Sequence, residues 1–329
     1  MKIGLICTNY FNIDQNNKTG SGIFNYILIN SLAKFQDNLF DFKVFASGQS
    51  DIPFPIESID FLPSSADPKI VKNGKHIMFE LALISKAFSQ QSKFDLFHIN
   101  IGDGDFILPF APFVNKPILI TLHNIINEDF TRKYFSIFKD QKNVHFVSVS
   151  NYQRKLLPDL NYIANIYHGI ETQDFSFDEL GGEEIMWAGR FIPGKGPDLV
   201  IKLAEKLQKS VKLFGVIKES YEEWFEENIQ KTSKDKDYIK INCNYPREKL
   251  IPEFQNSKVF ILPVLLEEAF GLVFAESMSC GTPVVTFARG AAPEIIEDGK
   301  TGFLVNPSDE DIRGDWIIKK TGIKGLCEA

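Results

Sequence analysis

Long apolar runs are missing from this 329-residue sequence. No stretch approaches the ~18 apolar residues that a membrane span requires. Cysteine is scarce as well: the sequence has four cysteines, none of them in a C-x-x-C pair. Such scattered thiols are typical of a reducing compartment, and we therefore expect a cytoplasmic protein.

An excess of positive charge is also missing. Lysine and arginine total 36 against 43 aspartates and glutamates, which gives a formal net charge of −7. A nucleic-acid-binding face needs basic residues to neutralise phosphates, so the charge balance argues against a nucleic-acid partner. The sequence also lacks a His/Asp cluster with metal-ligand spacing, low-complexity segments and internal repeats. The composition is that of an ordinary globular protein long enough for two domains of ~150 residues.

Short apolar runs alternate with helical patterns along the whole sequence. In the first half we predict strands at residues 3–7, 40–45, 96–99, 118–122, 144–149 and 163–167, and helices at 23–35 and 77–88. In the second half we predict strands at 185–188, 211–214, 238–242, 259–262 and 284–287, and helices at 198–208 and 274–280. This alternation is typical of a parallel sheet covered on both faces.

The predicted fold is therefore α/β, with two doubly wound, Rossmann-like domains that face each other across a cleft. The first domain is predicted at residues 1–170 and the second at residues 183–329. An acidic segment with two adjacent glycines, residues 171–182, is interpreted as the interdomain linker. Ligands of such folds bind at the carboxyl ends of the strands.

The most informative segment is LEEAFGLVFAESMSCGTPVVT, residues 266–286. It follows a predicted strand and has the pattern of a short loop, a helix and another strand. Gly271 allows the backbone to approach a ligand closely, and the N-terminus of the following helix would receive anions and hydroxyl oxygens. Two carboxylates, Glu268 and Glu276, flank this point with seven residues between them.

The order of these residues resembles the E-x7-E signature of family-4 retaining glycosyltransferases, which have the GT-B fold. The resemblance implies that Glu268 lies near the transferred sugar and that Glu276 accepts hydrogen bonds from ribose hydroxyls. It also implies that the backbone amides of Phe270, Gly271 and Leu272 hold sugar hydroxyls. The alternative is an amphipathic helix preceded by a surface glutamate, because glutamate pairs at this spacing are common.

A second segment, WAGRFIPGKG, begins in a predicted strand and precedes a helix. It resembles the phosphate clamp of the same family, in which Arg190 and Lys195 would hold the donor diphosphate. Fixed cations stabilise the negative charge that develops on a leaving nucleoside diphosphate. A P-loop is rejected because Gly196, and not Ser or Thr, follows Lys195. The alternative is a solvated loop with two unrelated cations.

Two features of the first half match the family more loosely. Gly20 and Gly22 precede a predicted helix and resemble a glycine-rich loop that approaches the donor phosphates, although a simple turn before a helix would look the same. His123 ends a predicted strand, and the resemblance implies a catalytic position near the terminal hydroxyl of the sugar. Asn124 stands where the family has Asp. The alternative is that His123 has only a structural role.

Two further patterns have simpler explanations. Asp103-Gly104-Asp105 is a D-x-D, which holds a metal in another glycosyltransferase fold, but a chain this rich in aspartate should contain such a triplet by chance. Lys72, Lys75 and Lys86 lie in or near the predicted helix at 77–88. That helix could bind a membrane surface, but we favour a helix that packs on the sheet.

The resemblance implies a retaining hexosyltransferase that moves a sugar from a nucleotide-sugar donor to an unidentified acceptor, which is a glycan, a lipid or a small molecule. The second domain would bind the donor without a metal or other cofactor, and the first would bind the acceptor. A nucleotide-sugar epimerase of the same fold and a non-catalytic nucleotide-sugar-binding protein are the alternatives. Family members usually continue well beyond residues 302–305, so the second domain is expected to be incomplete at its C-terminus. The sequence does not exclude a peripheral contact with a membrane surface.

Overall fold

The computed structural model describes residues 1–17, 19–35 and 39–329. The chain divides into two compact units, Met1–Gly169 and Ile170–Ala329.

The first unit is built on a seven-stranded parallel sheet with the order β3-β2-β1-β4-β5-β6-β7. The strands are β1 (Lys2–Ile6), β2 (Asp41–Phe45), β3 (Ile56–Glu57), β4 (Leu96–Ile99), β5 (Ile118–Thr121), β6 (Val144–Ser148) and β7 (Tyr162–Asn165). The helices are α1 (Gly20–Lys34), α2 (Pro68–Lys72), α3 (His76–Phe88), α4 (Asp129–Ile137) and α5 (Asn151–Leu156). The direction of strand order reverses between β1 and β4.

The second unit has a six-stranded parallel sheet with the order β10-β9-β8-β11-β12-β13. The strands are β8 (Glu184–Arg190), β9 (Val211–Val216), β10 (Ile239–Cys243), β11 (Ser257–Ile261), β12 (Val284–Phe287) and β13 (Gly302–Val305). The helices are α6 (Pro197–Leu207), α7 (Glu222–Phe225), α8 (Lys231–Ser233), α9 (Leu250–Gln255), α10 (Leu272–Ser279), α11 (Ala292–Ile295) and α12 (Gly322–Glu328). Here the strand order reverses between β8 and β11.

Each unit has its own hydrophobic core around its sheet. All four residues of β12 are buried, as expected for a parallel strand covered on both faces. In the second unit the fully buried Trp187 and Phe191 lie near the centre of the core. In the first unit, α3 buries Leu83, Ile84 and Phe88 in the core, so this helix packs on the sheet. The prediction of two Rossmann-like α/β domains is confirmed.

The segment predicted as a linker packs onto the second unit. Phe175 is buried in the core of that unit. Gly182 lies so close to the backbone of Asn256 that a Cβ atom at this position would collide with it. Residues 171–182 are therefore held by the second unit, and the boundary between the units lies at Gly169–Ile170.

Helix α1 begins three residues earlier than the apolar pattern indicates. The hydroxyl of Thr19 accepts a hydrogen bond from the amide of Gly22 at 3.2 Å and so caps the first turn. The cap places the predicted glycine loop inside the helix. Among the described residues, no helix combines the length and the apolar character needed to cross a bilayer.

Candidate active site

The strand-order reversal in the second sheet brings together two segments that the sequence identifies separately. The loop after β8 carries Lys195, and the loop after β11 carries Glu268. In open α/β sheets, ligands bind outside the carboxyl ends of strands at such a reversal. The two segments are in direct contact there, because the Lys195 ammonium donates a hydrogen bond to the Glu268 carboxylate.

The backbone of the loop after β8 is held from both sides. The buried indole of Trp187 donates a hydrogen bond to the Lys195 carbonyl at 3.0 Å. Gly196 has a φ of +63°, and a Cβ there would lie 2.5 Å from the Pro263 carbonyl oxygen, so this position requires glycine. The Leu265 amide donates to the Gly194 carbonyl at 2.9 Å. Lys195 is therefore presented by a loop that is fixed on the segment after β11.

Glu268 is fixed in a similar way. Its carbonyl accepts a hydrogen bond from the Ala291 amide at 2.8 Å. Gly290, with a φ of +59°, contacts the Glu268 backbone so closely that a side chain there would collide with it. The side chains of Lys195 and Glu268 are 14% and 20% exposed, so the pair is largely shielded from water. An ammonium group has three N–H donors, and Lys195 can bind a phosphate oxygen as well as this carboxylate.

The N-terminus of α10 lies just after Glu268 in the chain. Gly271 precedes the helix with a φ of +92°, and a Cβ there would lie 2.5 Å from the Phe274 ring. Within the described part of the chain, the amides of Gly271 and Leu272 donate to no protein acceptor. Such free amides at a helix N-terminus attract anionic and hydroxyl oxygens. The buried ring of Phe270 anchors the turn.

Glu276 lies one turn into α10 and is 5% exposed. Its carboxylate accepts a hydrogen bond from the Arg247 guanidinium, which also lies over the Phe175 ring at 5.6 Å. A carboxylate has about four acceptor positions, so this one contact leaves further positions for hydrogen-bond donors. Burial, with the charge of Glu276, raises the pKa of Cys280 to about 11 and keeps this thiol protonated. The sequence motifs did not indicate Arg247.

Two cations lie at the carboxyl end of neighbouring strands of the second sheet. Arg190 ends β8 and is in register with Val216 of β9, and Lys218 follows two residues later. Burial and the positive charge of Arg190 both lower the pKa of Lys218. In the described residues, neither side chain has a carboxylate within ion-pair distance. Both residues are exposed, and two cations without a carboxylate partner can attract an anion, so Lys218 joins Arg190 as a candidate phosphate-binding residue. The sequence motifs indicated Arg190 but not Lys218.

The two glycines of the first unit differ in their surroundings. A Cβ at Gly22 would collide with the Asn17 side chain, so packing requires glycine at this position. Around Gly20, apart from its chain neighbours and the backbone of its own helix, no heavy atom of the described residues lies within 4 Å of a Cβ position, so their packing places no such demand. Gly20 leaves open space at the N-terminus of the 15-residue helix α1.

His123 follows β5 and takes part in an aromatic cluster. Its ring lies 4.7 Å from the Phe24 ring and is stacked on His168 at 5.5 Å. Its Nε2 is 3.3 Å from the Asn100 side-chain oxygen. Burial, with the charges of His168 and His98, lowers the pKa of His123 to about 3. The imidazole is therefore neutral at pH 7, and with a proton on Nε2 it donates to Asn100.

The D-x-D triplet has a structural role that its sequence does not indicate. The Asp103 carboxylate accepts hydrogen bonds from the amides of His123 and Asn124 at 3.0 and 2.9 Å. It also accepts one from the Asn124 side chain at 3.0 Å. Asp103 thus fixes the loop that carries His123. Across the described ranges, no group of three His, Cys, Asp or Glu residues is arranged to hold a metal ion.

Of the predicted site residues, Arg190, Lys195, Glu268, Glu276 and the Phe270–Leu272 turn lie in the second unit. Direct contact joins Lys195 to Glu268. Gly20, Gly22 and His123 lie in the first unit.

Comparison with known proteins shows which family the second unit resembles. Residues 170–315 match the family described as glycosyl transferases group 1. A 136-residue segment is 29% identical to the GDP-mannose-dependent alpha-(1-6)-phosphatidylinositol monomannoside mannosyltransferase of Mycolicibacterium smegmatis, covering 39% of this chain. The match spans 35% of that relative's length, so the chain covers about a third of it.

Solved structures resemble all or nearly all of the chain. Sucrose-phosphate synthase from Thermosynechococcus elongatus has a TM-score of 0.73 at 17% identity, covering 100% of this chain and 88% of the other. The HepE protein of Anabaena, in complex with UDP and glucose, has a TM-score of 0.68 at 18% identity, covering 93% and 85%. Residues 170–315 are therefore similar to the glycosyl transferases group 1 family, and the two parallel-sheet units have the fold of the GT-B glycosyltransferases.

Proposed function

We propose that this protein is a retaining hexosyltransferase of family 4, with the E-x7-E signature formed by Glu268 and Glu276. It moves a hexosyl group from a nucleotide-sugar donor to a hydroxyl group of an acceptor. The contact between Lys195 and Glu268 at the strand-order reversal carries the proposal. It joins the cation that would hold a phosphate to the carboxylate that would lie beside the sugar.

The donor diphosphate would bind to Arg190 and Lys195, with Lys218 nearby. Glu276 would accept hydrogen bonds from the ribose, and the amides of Gly271 and Leu272 would hold sugar hydroxyls. Charge-assisted hydrogen bonds of this kind are shorter and stronger than neutral ones. In support, the HepE structure that resembles this chain contains UDP and glucose, and a relative's name specifies GDP-mannose.

The chemical step would be a front-face displacement. The bond between the anomeric carbon and the leaving phosphate oxygen breaks, and the acceptor oxygen attacks from the same side, which retains the configuration. The acceptor proton passes to the leaving phosphate. Arg190 and Lys195 stabilise the charge that develops on the diphosphate, and in this proposal the reaction needs no metal. Gly20 would leave room for the phosphates, and the neutral His123 would hydrogen-bond a sugar hydroxyl.

The proposal is tested by following release of nucleoside diphosphate from UDP-, GDP- and ADP-sugars, with and without a panel of hydroxylated acceptors. We expect one donor to be consumed in the presence of an acceptor, the product to keep its anomeric configuration, and EDTA to leave the rate unchanged. Lys258→Ala is a suitable control, because this exposed lysine lies at the amino end of β11. An isomerised sugar without transfer would identify an epimerase, and donor binding without turnover would identify a non-catalytic binding protein.

A further inference from the structure

The first unit contains a cavity of about 200 Å³ that none of the sequence motifs indicates. Its wall is formed by the loops after β1 and β4 and by residues of α1 and α3. The order of the first sheet reverses between β1 and β4, so the cavity lies where open α/β sheets bind ligands. Gly20, Gly22 and His123 are not part of its wall.

Asn100 lines this cavity and is 1% exposed. Its side-chain oxygen is close to His123 Nε2, whereas its Nδ2 has no hydrogen-bond partner. If the amide were turned over, the oxygen would be the atom without a partner. A buried polar atom without a partner is unfavourable, and a ligand hydroxyl that reached it would supply the missing hydrogen bond. His76 also lines the cavity, and its Nδ1 lacks a partner too.

Glu80 contributes a carboxyl group to the same wall and is 4% exposed. Its carboxylate accepts hydrogen bonds from the Thr8 hydroxyl and from the amides of Asn9 and Tyr10, the latter two at 3.0 Å. These bonds hold the loop after β1 against α3. Burial raises the pKa of Glu80, and the three hydrogen bonds oppose this shift.

The remaining wall defines the chemistry of the ligand. Three aromatic residues, Tyr10, Phe11 and Phe106, line the cavity, and no lysine or arginine is among its described lining residues. An anionic ligand would meet the carboxylate of Glu80 without any compensating cation. A neutral ring with hydroxyl groups instead matches apolar walls that carry a few hydrogen-bonding groups.

The volume limits the size of the ligand. Pockets for drug-sized molecules measure about 300–1,000 Å³, so this open cavity of about 200 Å³ has room for one ring, and any further part of the ligand would lie outside it. We infer that this cavity binds the accepting end of the acceptor, a single neutral polyhydroxylated ring such as a monosaccharide or a cyclitol, through Asn100 and His76. The inference rests on the proposed function, because it identifies the substrate class of the same enzyme.

Saturation-transfer NMR on the full chain tests this inference. The neutral probes are glucose, mannose, galactose, N-acetylglucosamine and myo-inositol. The anionic probes are glucose 6-phosphate and glucuronate. His76→Trp fills the cavity and Asn100→Leu removes its polar group. Ile77→Trp, the exposed neighbour on α3, is the matched control. Circular dichroism establishes that each variant is folded, and titration with UDP and GDP measures the donor site separately.

We expect at least one neutral ring to bind to the wild type and to Ile77→Trp, and to bind at least tenfold more weakly to His76→Trp and Asn100→Leu. The affinity of His76→Trp for the nucleoside diphosphate should match that of the wild type. Preference for the anionic probes, unchanged ring binding in folded His76→Trp, or nucleotide binding without any ring binding would each overturn the inference. Failure to bind any nucleoside diphosphate would instead count against the proposed function.

Discussion

Glu268 accepts a hydrogen bond from the ammonium group of Lys195, although 73 positions separate the two residues in the sequence. The contact joins the loops after β8 and β11, and the backbones of both loops are fixed by close packing at glycines. A donor phosphate would share the Lys195 ammonium with Glu268, so donor binding and the position of the carboxylate are coupled.

Lys195→Ala should weaken binding of the cognate nucleoside diphosphate. Loss of one charge-assisted hydrogen bond to phosphate costs about 1.5–3 kcal/mol, which corresponds to a roughly 10- to 150-fold higher Kd. Isothermal titration calorimetry measures the change, with Lys258→Ala as the control. An affinity equal to that of the wild type would rule out a phosphate contact for Lys195.

Arg190 and Lys218 should act together on the same anion. We expect Arg190→Ala and Lys218→Ala each to raise the Kd for the nucleoside diphosphate, and the dependence of affinity on salt to become shallower in both. Lys240→Ala is the matched control, since this exposed lysine lies on the neighbouring strand β10. If Lys218→Ala binds with unchanged affinity and salt dependence, the cation pair does not bind the donor.

Glu276→Ala and Glu268→Ala should separate in steady-state kinetics. Ribose contacts persist from ground state to transition state, so loss of Glu276 should mainly raise KM for the donor. Contacts beside the reacting sugar strengthen in the transition state, so loss of Glu268 should mainly lower kcat. Arg247→Ala should raise KM as Glu276→Ala does, because the Arg247 guanidinium holds the Glu276 carboxylate. Interchanged effects of the two glutamates would refute these roles.

Acidification should destabilise the fold through its histidines. Burial lowers the pKa values of His98, His123 and His168 to about 4, 3 and 4, against 6.5 for an unperturbed histidine. Between pH 6.5 and about 4 the unfolded chain binds more protons, so the free energy of unfolding falls as the pH falls. It does so by roughly 1.4 kcal/mol per pH unit for each such histidine. Above pH 6.5 this contribution is constant.

Urea denaturation at pH 7 and pH 5 measures this dependence. His168→Asn should reduce the loss of stability between the two pH values. The comparison is His145→Gln, because His145 lies on β6 outside the cluster. An unchanged pH dependence in His168→Asn would contradict the assignment of this pH dependence to the buried histidines.

The sequence indicates those candidate site residues that lie near one another in the chain. Gly271 and Glu268 belong to one short segment. An apolar run followed by a glycine and a helical pattern predicts a strand, a turn and the N-terminus of a helix. Arg247 reaches Glu276 only through the packing of the loop after β10 against α10. Likewise, Asp103 reaches His123 only because β4 and β5 are neighbours in the sheet. A pattern within one short segment cannot predict contacts between residues that are far apart in the sequence.

The cavity in the first unit could not be predicted for the same reason. Glu80 looks like an ordinary polar residue within the apolar pattern of α3. Its burial follows from three hydrogen bonds to residues more than 60 positions earlier in the chain. Helix α1 also shows the limit of periodicity, because Thr19 starts the helix before its first apolar residue.

The hydrogen bond from Trp187 to the Lys195 carbonyl gives the chain an intrinsic optical probe. The emission of an indole depends on its hydrogen bond and on the polarity around it, and this one is attached to the backbone of the candidate phosphate-binding residue. The chain has three tryptophans, and the other two, Trp224 and Trp316, lie partly buried at the margin of the core. A variant with phenylalanine at those two positions would report movement of the Lys195 loop by fluorescence alone, without a label.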